Sequence, residues 1–288
     1  MALVLWLALG FAGVSAAQMP PDLARERADY TEWLGTAPTS PLAAVAQQPV
    51  GPGLRLGPPD ADVPLEDIPE HRLTQRGGTV ALEGEDGRRA VPRGAPVRLG
   101  PYTLVISGGA GRAVLNVFGP IRAERPPAER PPAERPPAYF AYQPSLVYTG
   151  PLTPAEHSKR VRVLGVDGIE VEAAEAGSVM VPIGRERVRL RVRRLPTGPA
   201  EESELEIYFQ DATNGHGSYP AGRFVALVPE GKGYRLDFNR ARNPFCAYSS
   251  AYPCPAPWQG NSVGVPIAAG ERYLGSGPAL PVVRPAAP

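Results

Sequence analysis

The chain has 288 residues, of which 43% are hydrophobic and 20% are charged. This length suffices for one large domain or two small ones, and the apolar content suffices for a folded core, which excludes a wholly disordered protein. The 32 glycines and 37 prolines predict irregular flanks, and the formal net charge of +1 disfavours a general nucleic-acid binder.

An apolar segment opens the chain. Residues Leu3 to Val14 are apolar apart from glycines, and the small residues Ser15-Ala16-Ala17 follow them. This order is typical of a signal peptide at 1–17, although no basic residue precedes the run, and an uncleaved anchor stays an alternative. The sequence therefore predicts export to the periplasm, the cell envelope or the extracellular space. No later stretch reaches transmembrane length, and 275–288 predicts a disordered tail.

Residues 18–78 predict a short helix followed by an extended connection. From Asp22 to Leu34 the apolar residues recur at a helical period. From Thr36 to Ile68 proline and glycine recur every few residues, which predicts a long connection or wrap, with Leu54 and Leu56 as its apolar anchors.

From Thr79 onward the apolar residues alternate with polar ones, which indicates strands. Glycine turns separate the segments. We expect one β-rich domain at 79–274, mainly β, folded as an antiparallel sandwich or a barrel-like sheet beside the short N-terminal helix. The predicted strands are Thr79–Leu82, Val97–Leu99, Tyr102–Ile106, Arg112–Phe118, Leu146–Tyr148, Arg160–Leu164, Ile169–Ala173, Val179–Val181, Arg187–Leu195 and Glu204–Phe209.

A repeat of five residues interrupts this domain. Ala-Glu-Arg-Pro-Pro occurs three times over 123–137. Paired prolines at this spacing preclude helix and sheet, and the alternating charges keep the segment solvated, so it predicts a stiff surface loop. A docking site for a polyproline-binding partner protein is an alternative, but a tolerated insertion is the favoured interpretation.

Arginines alternate with apolar residues in one predicted strand. Arg185, Arg187, Arg189, Arg191 and Arg193 would lie on one face. Such a row resembles a polyanion-binding stripe, but neighbouring strands carry glutamates at the same alternation. Cross-strand ion pairs on a solvent face are therefore the favoured interpretation. These glutamates are Glu170, Glu172, Glu204 and Glu206.

The carboxy-terminal part of the sequence resembles a known family. It contains the runs Ser218-Tyr219, Gly222-Arg223-Phe224, Leu236-Asp237-Phe238-Asn239, Asn243-Pro244, Cys246-Ala247-Tyr248, Cys254-Pro255 and Ala269-Gly270-Glu271. With these runs the chain resembles the bacterial and archaeal family known as domain of unknown function 1684. Upstream, Arg25, Tyr30, Ser40-Pro41-Leu42 and Tyr139-Phe140 also fit. The resemblance implies a β-rich domain without an assigned activity.

Five polar residues are the candidate site. Asp211 continues the inward-facing row of its strand, Arg223 begins the returning strand, and Asp237 and Asn239 share a face of the next strand. We expect these four to converge with Tyr219 at one end of the sheet. A structural clamp is the favoured interpretation, because buried polar clusters usually support irregular backbone. Ligand binding or hydrolysis is the alternative.

The two cysteines, Cys246 and Cys254, lie in a proline-rich segment. A disulfide is the default in an exported chain, with free thiols and metal binding as alternatives. The three histidines have no ligand spacing, so the sequence predicts no metal and no cofactor. The nearby aromatic residues Tyr248, Tyr252 and Trp258 are expected to pack the loop, with a saccharide-stacking platform as the alternative.

The sequence leaves the function unknown, with two hypotheses. The first is an exported, non-catalytic binding or structural module of the envelope, with a small polar or saccharide ligand near Arg223, Tyr219 and Asn239. The second is a metal-independent hydrolase that uses Asp211 or Asp237 as its general base.

Overall fold

The structure, a computed structural model, describes the following parts of the chain: 18–109, 111–120, 136–196, 203–256 and 258–275. The predicted signal peptide at 1–17, the repeat up to residue 135 and the tail from residue 276 lie outside the described residues. Within the described parts, no helix is long and apolar enough to cross a membrane.

The short N-terminal helix is confirmed as α1 (Pro21–Thr36). Proline suits its first position, where no backbone N–H is needed, and Asp22 lies in the first turn, where the helix dipole favours a carboxylate. Leu23, Tyr30 and Leu34 are buried. These apolar side chains attach the helix to the rest of the protein.

The first group of strands forms an amino-terminal unit, residues 44–118. Its strands are β1 (Ala44–Pro49), β2 (Leu54–Gly57), β3 (Val63–Pro64), β4 (His71–Arg76), β5 (Thr79–Gly84), β6 (Gly87–Ala90), β7 (Pro96–Leu99), β8 (Tyr102–Ser107) and β9 (Val114–Phe118). They form two sheets, in the orders β1-β9-β8-β7 and β3-β2-β4-β5-β6. Both sheets contribute to one apolar core, which includes Leu56, Leu73, Leu104 and Leu115.

The structure differs from the sequence prediction between residues 44 and 76. We expected an extended connection there, but the segment forms β1 to β4 and pairs with the strands that follow. The recurring prolines indicated a connection without strands, but they lie at positions where strands tolerate proline. Pro49 ends β1 and Pro64 ends β3, and both are edge strands of their sheets.

The remaining strands form a carboxy-terminal unit, residues 138–272. They are β10 (Ala138–Tyr139), β11 (Val147–Gly150), β12 (Thr153–Pro154), β13 (Arg160–Leu164), β14 (Glu170–Ile183), β15 (Glu186–Pro196), β16 (Ser203–Phe209), β17 (Arg223–Glu230), β18 (Gly233–Asp237) and β19 (Glu271–Arg272). The main sheet has the order β11-β18-β17-β16-β15-β14-β12, with β13 also paired to β14. It is antiparallel and curls into a half-barrel.

The mainly β, antiparallel, barrel-like fold class is thus confirmed. The core of the carboxy-terminal unit lies inside the half-barrel and includes Val179, Leu190, Ile207 and Leu236. Strands β14 to β18 supply it from alternate positions, as the period of two in the sequence predicts.

Two segments that the sequence predicts as separate strands form a single strand in the structure. Apart from Ile169, the predicted strands Ile169–Ala173 and Val179–Val181 both lie in the long strand β14, whose register with β15 shifts at a bulge between Glu175 and Gly177. Gly177 is required there, because its φ is +147° and a Cβ atom would lie 2.1 Å from the carbonyl oxygen of Thr153 on β12.

The arginine row lies on β15 as predicted, except that Arg185 precedes the strand. Leu190 and Val192 are buried between arginines that are exposed or half-buried. Its ion pairs are fewer than we expected. Arg191 pairs with Glu175 of β14 at 3.8 Å. The expected partners Glu170 and Glu172 instead bind Arg112, Arg162 and Arg160.

Candidate functional site

Arg223 and Asp211 lie together, as the strand pattern predicts. Arg223 begins β17 opposite Phe209, and Gly222, with a φ of +109°, allows this approach because a Cβ atom there would lie 2.5 Å from the carbonyl oxygen of Phe209. The Arg223 Nη2 atom donates to Asp211 Oδ2 at 2.7 Å, and both side chains are fully buried. We call this pair the clamp.

The clamp holds the last irregular segment of the unit against the sheet. Arg223 also donates to the carbonyl oxygens of Ile267, at 2.8 Å, and Ala269. Asp211 Oδ1 accepts from the backbone N–H of Ile267 at 3.1 Å and of Thr213 at 2.8 Å. These bonds satisfy buried backbone groups, which is what the structural interpretation of the cluster requires.

Asp237 and Asn239 form a second pair. Asp237 ends β18, and Asn239 lies in the 3₁₀ turn Phe238–Arg240, so the two do not share a strand face as expected. Asp237 Oδ1 accepts from the backbone N–H and the side-chain Nδ2 of Asn239, at 3.0 and 2.9 Å. Asp237 Oδ2 accepts from Arg235 at 3.1 Å. In the described chain, no hydrogen bond joins this pair to the clamp.

Tyr219 lies at the cysteine loop and not at either pair. Its hydroxyl donates to the carbonyl oxygen of Cys246 at 3.1 Å, and its ring packs edge to face on Tyr273 at 4.8 Å. Burial raises the pKa of Tyr219 to about 12. The structure pairs Cys246 with Cys254 in a disulfide, with their Cα atoms 5.5 Å apart. The five predicted site residues therefore occupy three separate places.

The aromatic residues of this loop pack inward. Tyr248, Tyr252 and Trp258 are all buried, and the Trp258 ring lies edge-on to Tyr208 and Phe224, with ring centroids 6.3 and 6.4 Å away. They give solvent no flat surface on which a sugar could stack. The packing interpretation accounts for them.

Glu271 is a buried carboxylate that sequence reasoning missed. It accepts from the backbone N–H and the Nδ2 of Asn243, both at 2.9 Å, and from the hydroxyl of Tyr248. Burial raises the pKa of Glu271 to about 7. The sequence offered one signal, the run Ala269-Gly270-Glu271 in the family resemblance, but a role follows only from the partners that the fold supplies.

A cleft of about 770 Å³ lies between α1 and the outer face of β16, β17 and β18. Helix α1 contributes one wall and β17 the floor, where Val228 is 52% exposed. The apolar residues that line the cleft are Tyr30, Trp33, Val166, Phe224, Val225, Ala226, Val228 and Phe245. The charged residues are Glu26, Glu204, Glu206, Glu230, Arg235, Asp237, Arg240 and Arg242. We call this cavity the α1 cleft.

The arginines of the α1 cleft are all paired with carboxylates. Arg235 lies 3.1 Å from Asp237. Arg240 binds Asp22 and Glu26 of α1, and Arg242 binds Glu26 at 2.7 Å. The pairs with Asp22 and Glu26 join α1 to the segment that follows β18.

The opposite wall carries unpaired carboxylates. The side chains of Glu204 and Glu206 on β16 make no hydrogen bond or ion pair with any described residue. Burial, followed by the nearby charges of Glu204 and Asp167, raises the pKa of Glu206 to about 7. Arg193 is opposite Glu206 in the sheet, but its guanidinium lies over the Trp258 ring, 4.5 Å from the centroid. The predicted ion pair between Arg193 and Glu206 is therefore not formed, because the Arg193 side chain packs on Trp258 instead.

A second cavity of about 770 Å³ lies in the amino-terminal unit, where residues of the segment 57–69 meet Val45 and Tyr102. Prolines and apolar residues dominate its lining, and the exposed Val45 lies at its edge. Among the described residues, no group of three or more His, Cys, Asp or Glu side chains is placed to hold a metal ion.

Comparison with known proteins identifies the carboxy-terminal unit. Residues 137–272 match the model of a family described as "Protein of unknown function (DUF1684)". The solution NMR structure of an uncharacterized protein of Haloarcula marismortui is 29% identical, with a TM-score of 0.41, and the match covers 48% of this chain and 76% of that one. No curated protein matches. The match of the family model to residues 137–272 confirms the resemblance that the sequence predicts.

Proposed function

We propose that the protein is an exported, non-catalytic binding module whose small ligand occupies the α1 cleft. One observation carries the proposal. The cleft is open to solvent, has an exposed apolar floor at Val228, and is lined by charged side chains that include two without partners. Small-molecule sites combine apolar surface, which packs against the ligand, with placed polar groups, which orient it, and the α1 cleft offers both.

This proposal moves the ligand from Arg223 to the cleft. Arg223 and Asp211 have no exposed side-chain surface, so a ligand could reach them only after the segment at Ile267 had moved. The paired Asp237 and Asn239 are also buried, but Asp237 lines the bottom of the cleft. Of the five polar residues that the sequence singled out, only Asp237 lines the cleft.

Binding is favoured over hydrolysis by the partners of the two aspartates. A general base must accept a proton from a water molecule or a substrate. Both oxygens of Asp211 accept from Arg223 or backbone N–H groups, and both oxygens of Asp237 accept from Asn239 or Arg235. Each carboxylate oxygen of the two aspartates therefore already accepts at least one hydrogen bond from the protein itself.

Export is supported by the apolar segment at the start of the chain and by the cysteine pair. The run that ends at Ala17 has the order of a signal peptide. The disulfide between Cys246 and Cys254 would persist in an oxidising compartment such as the periplasm or the extracellular space.

The binding role is tested by mapping ring-sized probes onto the protein. Benzamide, benzamidine and benzoate are titrated singly into ¹⁵N-labelled protein. We expect at least one probe to shift the signals of α1, of Ala226 and Val228, and of the Trp33 indole. Val228→Arg should abolish these shifts, because the longer side chain fills the floor of the cleft. Val45→Arg is the matched control, since Val45 is 51% exposed and lines the other cavity.

The proposal is contradicted if none of the three probes perturbs the cleft, or if Val228→Arg leaves the shifts intact. The same titration reports binding at the second cavity through the signals of Val45 and Tyr102. Shifts confined to those residues would place the binding site in the amino-terminal unit instead.

A further inference from the structure

We propose that the ligand of the α1 cleft is an organic cation with an apolar, ring-sized body, and that Glu206 is its counter-ion. This inference rests on the proposed binding function and names the chemical class of the ligand. It is argued from the charges of the two walls and from the aromatic side chains between them.

The wall formed by β16 carries two glutamates, and no positively charged side chain of the described residues pairs with them. Glu206 is partly buried in the cleft, and a partly buried carboxylate is costly unless a positive charge or hydrogen-bond donors compensate it. Its neighbours are Glu204 and Asp167, which add negative charge. No described cation pairs with either glutamate of β16. A bound cation would supply the missing partner.

The sheet neighbour of Glu206 does not fill this role. Arg193 stacks on Trp258 and interacts with Glu175 of β14. On the other side Glu206 faces Ala226 of β17, which carries no charge. The carboxylate is therefore left for a group that enters from the cleft.

The opposite wall does not select an anion. Arg235 lies 3.7 Å from Glu230 in addition to its pair with Asp237, and Arg240 also lies 3.5 Å from Asp237. An anionic ligand would have to displace carboxylates that already bind these arginines and would approach Glu206. Charge complementarity thus favours a cation at the β16 wall.

The apolar residues define the rest of the ligand. Trp33 of α1 lies 5.7 Å from Tyr30 and 6.0 Å from Phe245, measured between ring centroids, which makes a continuous aromatic wall. Arg242 already covers the Tyr30 ring at 4.4 Å, so Trp33 and Phe245 are the rings available to a ligand. An aromatic face attracts a cation and packs against an apolar body.

The test compares three probes of the same size and different charge. Benzamidine is a cation, benzamide is its neutral counterpart and benzoate is an anion. At about pH 8, where Glu206 is ionised, we expect benzamidine to bind the cleft about tenfold more tightly than benzamide, and benzoate to bind most weakly. Glu206→Gln should remove the preference for benzamidine and leave the dissociation constant of benzamide unchanged.

Two further variants complete the experiment. Glu172→Gln on β14 removes the same charge outside the cleft and should keep the preference for benzamidine. Glu204→Gln, at the exposed rim, should reduce the preference by less than Glu206→Gln does. The ¹⁵N spectrum of each variant shows whether it is folded, so a loss of binding is separated from a loss of structure.

The outcomes distinguish this inference from the proposed function. If the three probes bind the cleft equally, or if folded Glu206→Gln keeps the preference for benzamidine, the inference is wrong and the binding function stands. If no probe binds the cleft, both are wrong. A preference for the cation that depends on Glu206 and not on Glu172 supports both.

Discussion

Arg223 of β17 and Glu206 of β16 are charged residues on neighbouring strands. They differ in whether the protein supplies partners for their side chains. Arg223 is fully buried, and its guanidinium binds the carboxylate of Asp211 and backbone carbonyl oxygens such as that of Ile267. Glu206 is partly buried, and its carboxylate has no hydrogen-bond or ion-pair partner among the described residues. Removing the first charge should therefore destabilise the protein, whereas removing the second should not.

Arg223→Met should lower the free energy of unfolding by about 3–5 kcal/mol, because it leaves the charge of Asp211 buried without its partner. Urea unfolding followed by circular dichroism measures the loss. Arg191→Met is the control, since Arg191 is exposed and lies 3.8 Å from Glu175, and such surface pairs contribute about 0–1 kcal/mol. Equal losses in the two variants would show that the clamp does not support the fold.

Glu206→Gln should stabilise the protein at high pH only. The pKa of Glu206 is about 7 in the folded protein and 4.5 in the unfolded chain, so the folded state binds the proton more tightly. Its contribution to stability is complete below pH 4.5 and is lost as the pH rises through 7. Glutamine cannot ionise, so the variant escapes this loss.

The measurement is the melting temperature of Glu206→Gln minus that of the unchanged protein, taken across this pH range. We expect a difference near zero at the acid end and a positive one above pH 7. Glu271 also has a raised pKa, but it is present in both proteins, so its effect on the melting temperature cancels in the difference. The groups that face Glu206 are Glu204, Asp167 and Arg193. A constant difference would contradict the prediction, because it would show that folding does not raise the pKa of Glu206.

At the scale of elements, strands with a clear alternation could be predicted from the sequence, and those with weak local signals could not. β15 was predicted at Arg187–Leu195 and extends over Glu186–Pro196, because its apolar residues alternate throughout. β1 was missed. It pairs with β9, about seventy residues later, and supplies its sheet with an edge that contains proline. Such pairing leaves little trace in a local pattern.

The same distinction applies to the candidate site. The adjacency of Asp211 and Arg223 follows from a turn within one hairpin, so the sequence predicts it. The α1 cleft depends on contacts between residues far apart in the chain, such as Glu26 with Arg242. The alternation of Glu204 and Glu206 was visible, but only the fold shows that their expected arginine partners bind elsewhere.

At the scale of the whole molecule, the two largest apolar clusters of the described residues are the cores of the two units. Helix α1 packs in a smaller cluster of the carboxy-terminal unit. The core of the amino-terminal unit consists of residues from β1 to β9 and the turns between them. Tyr30 and Leu34 of α1 pack instead with Tyr219, Ala247 and Tyr248 of the carboxy-terminal unit. Helix α1 and the carboxy-terminal unit are thus packed together, although the amino-terminal unit lies between them in the sequence.

Polar contacts connect the two units. Gln47 of β1 donates to the carbonyl oxygen of Asp167 at 3.0 Å. Ser249 donates to the carbonyl oxygen of Ala44 at the same distance, and the exposed Arg112 lies 2.6 Å from Glu170. Exposed and half-buried polar contacts of this kind are weak compared with an apolar core. We therefore expect the two units to unfold separately.

Three substitutions of fully or almost fully buried leucines test this expectation by calorimetry. Leu104→Ala in the amino-terminal unit and Leu236→Ala in the carboxy-terminal unit should each cost about 2–5 kcal/mol and lower a different thermal transition. Leu34→Ala in α1 should lower the same transition as Leu236→Ala, although Leu34 precedes the amino-terminal unit in the chain. If all three variants shift one common transition, the polar contacts between the units are strong enough to make the molecule unfold as a single cooperative body.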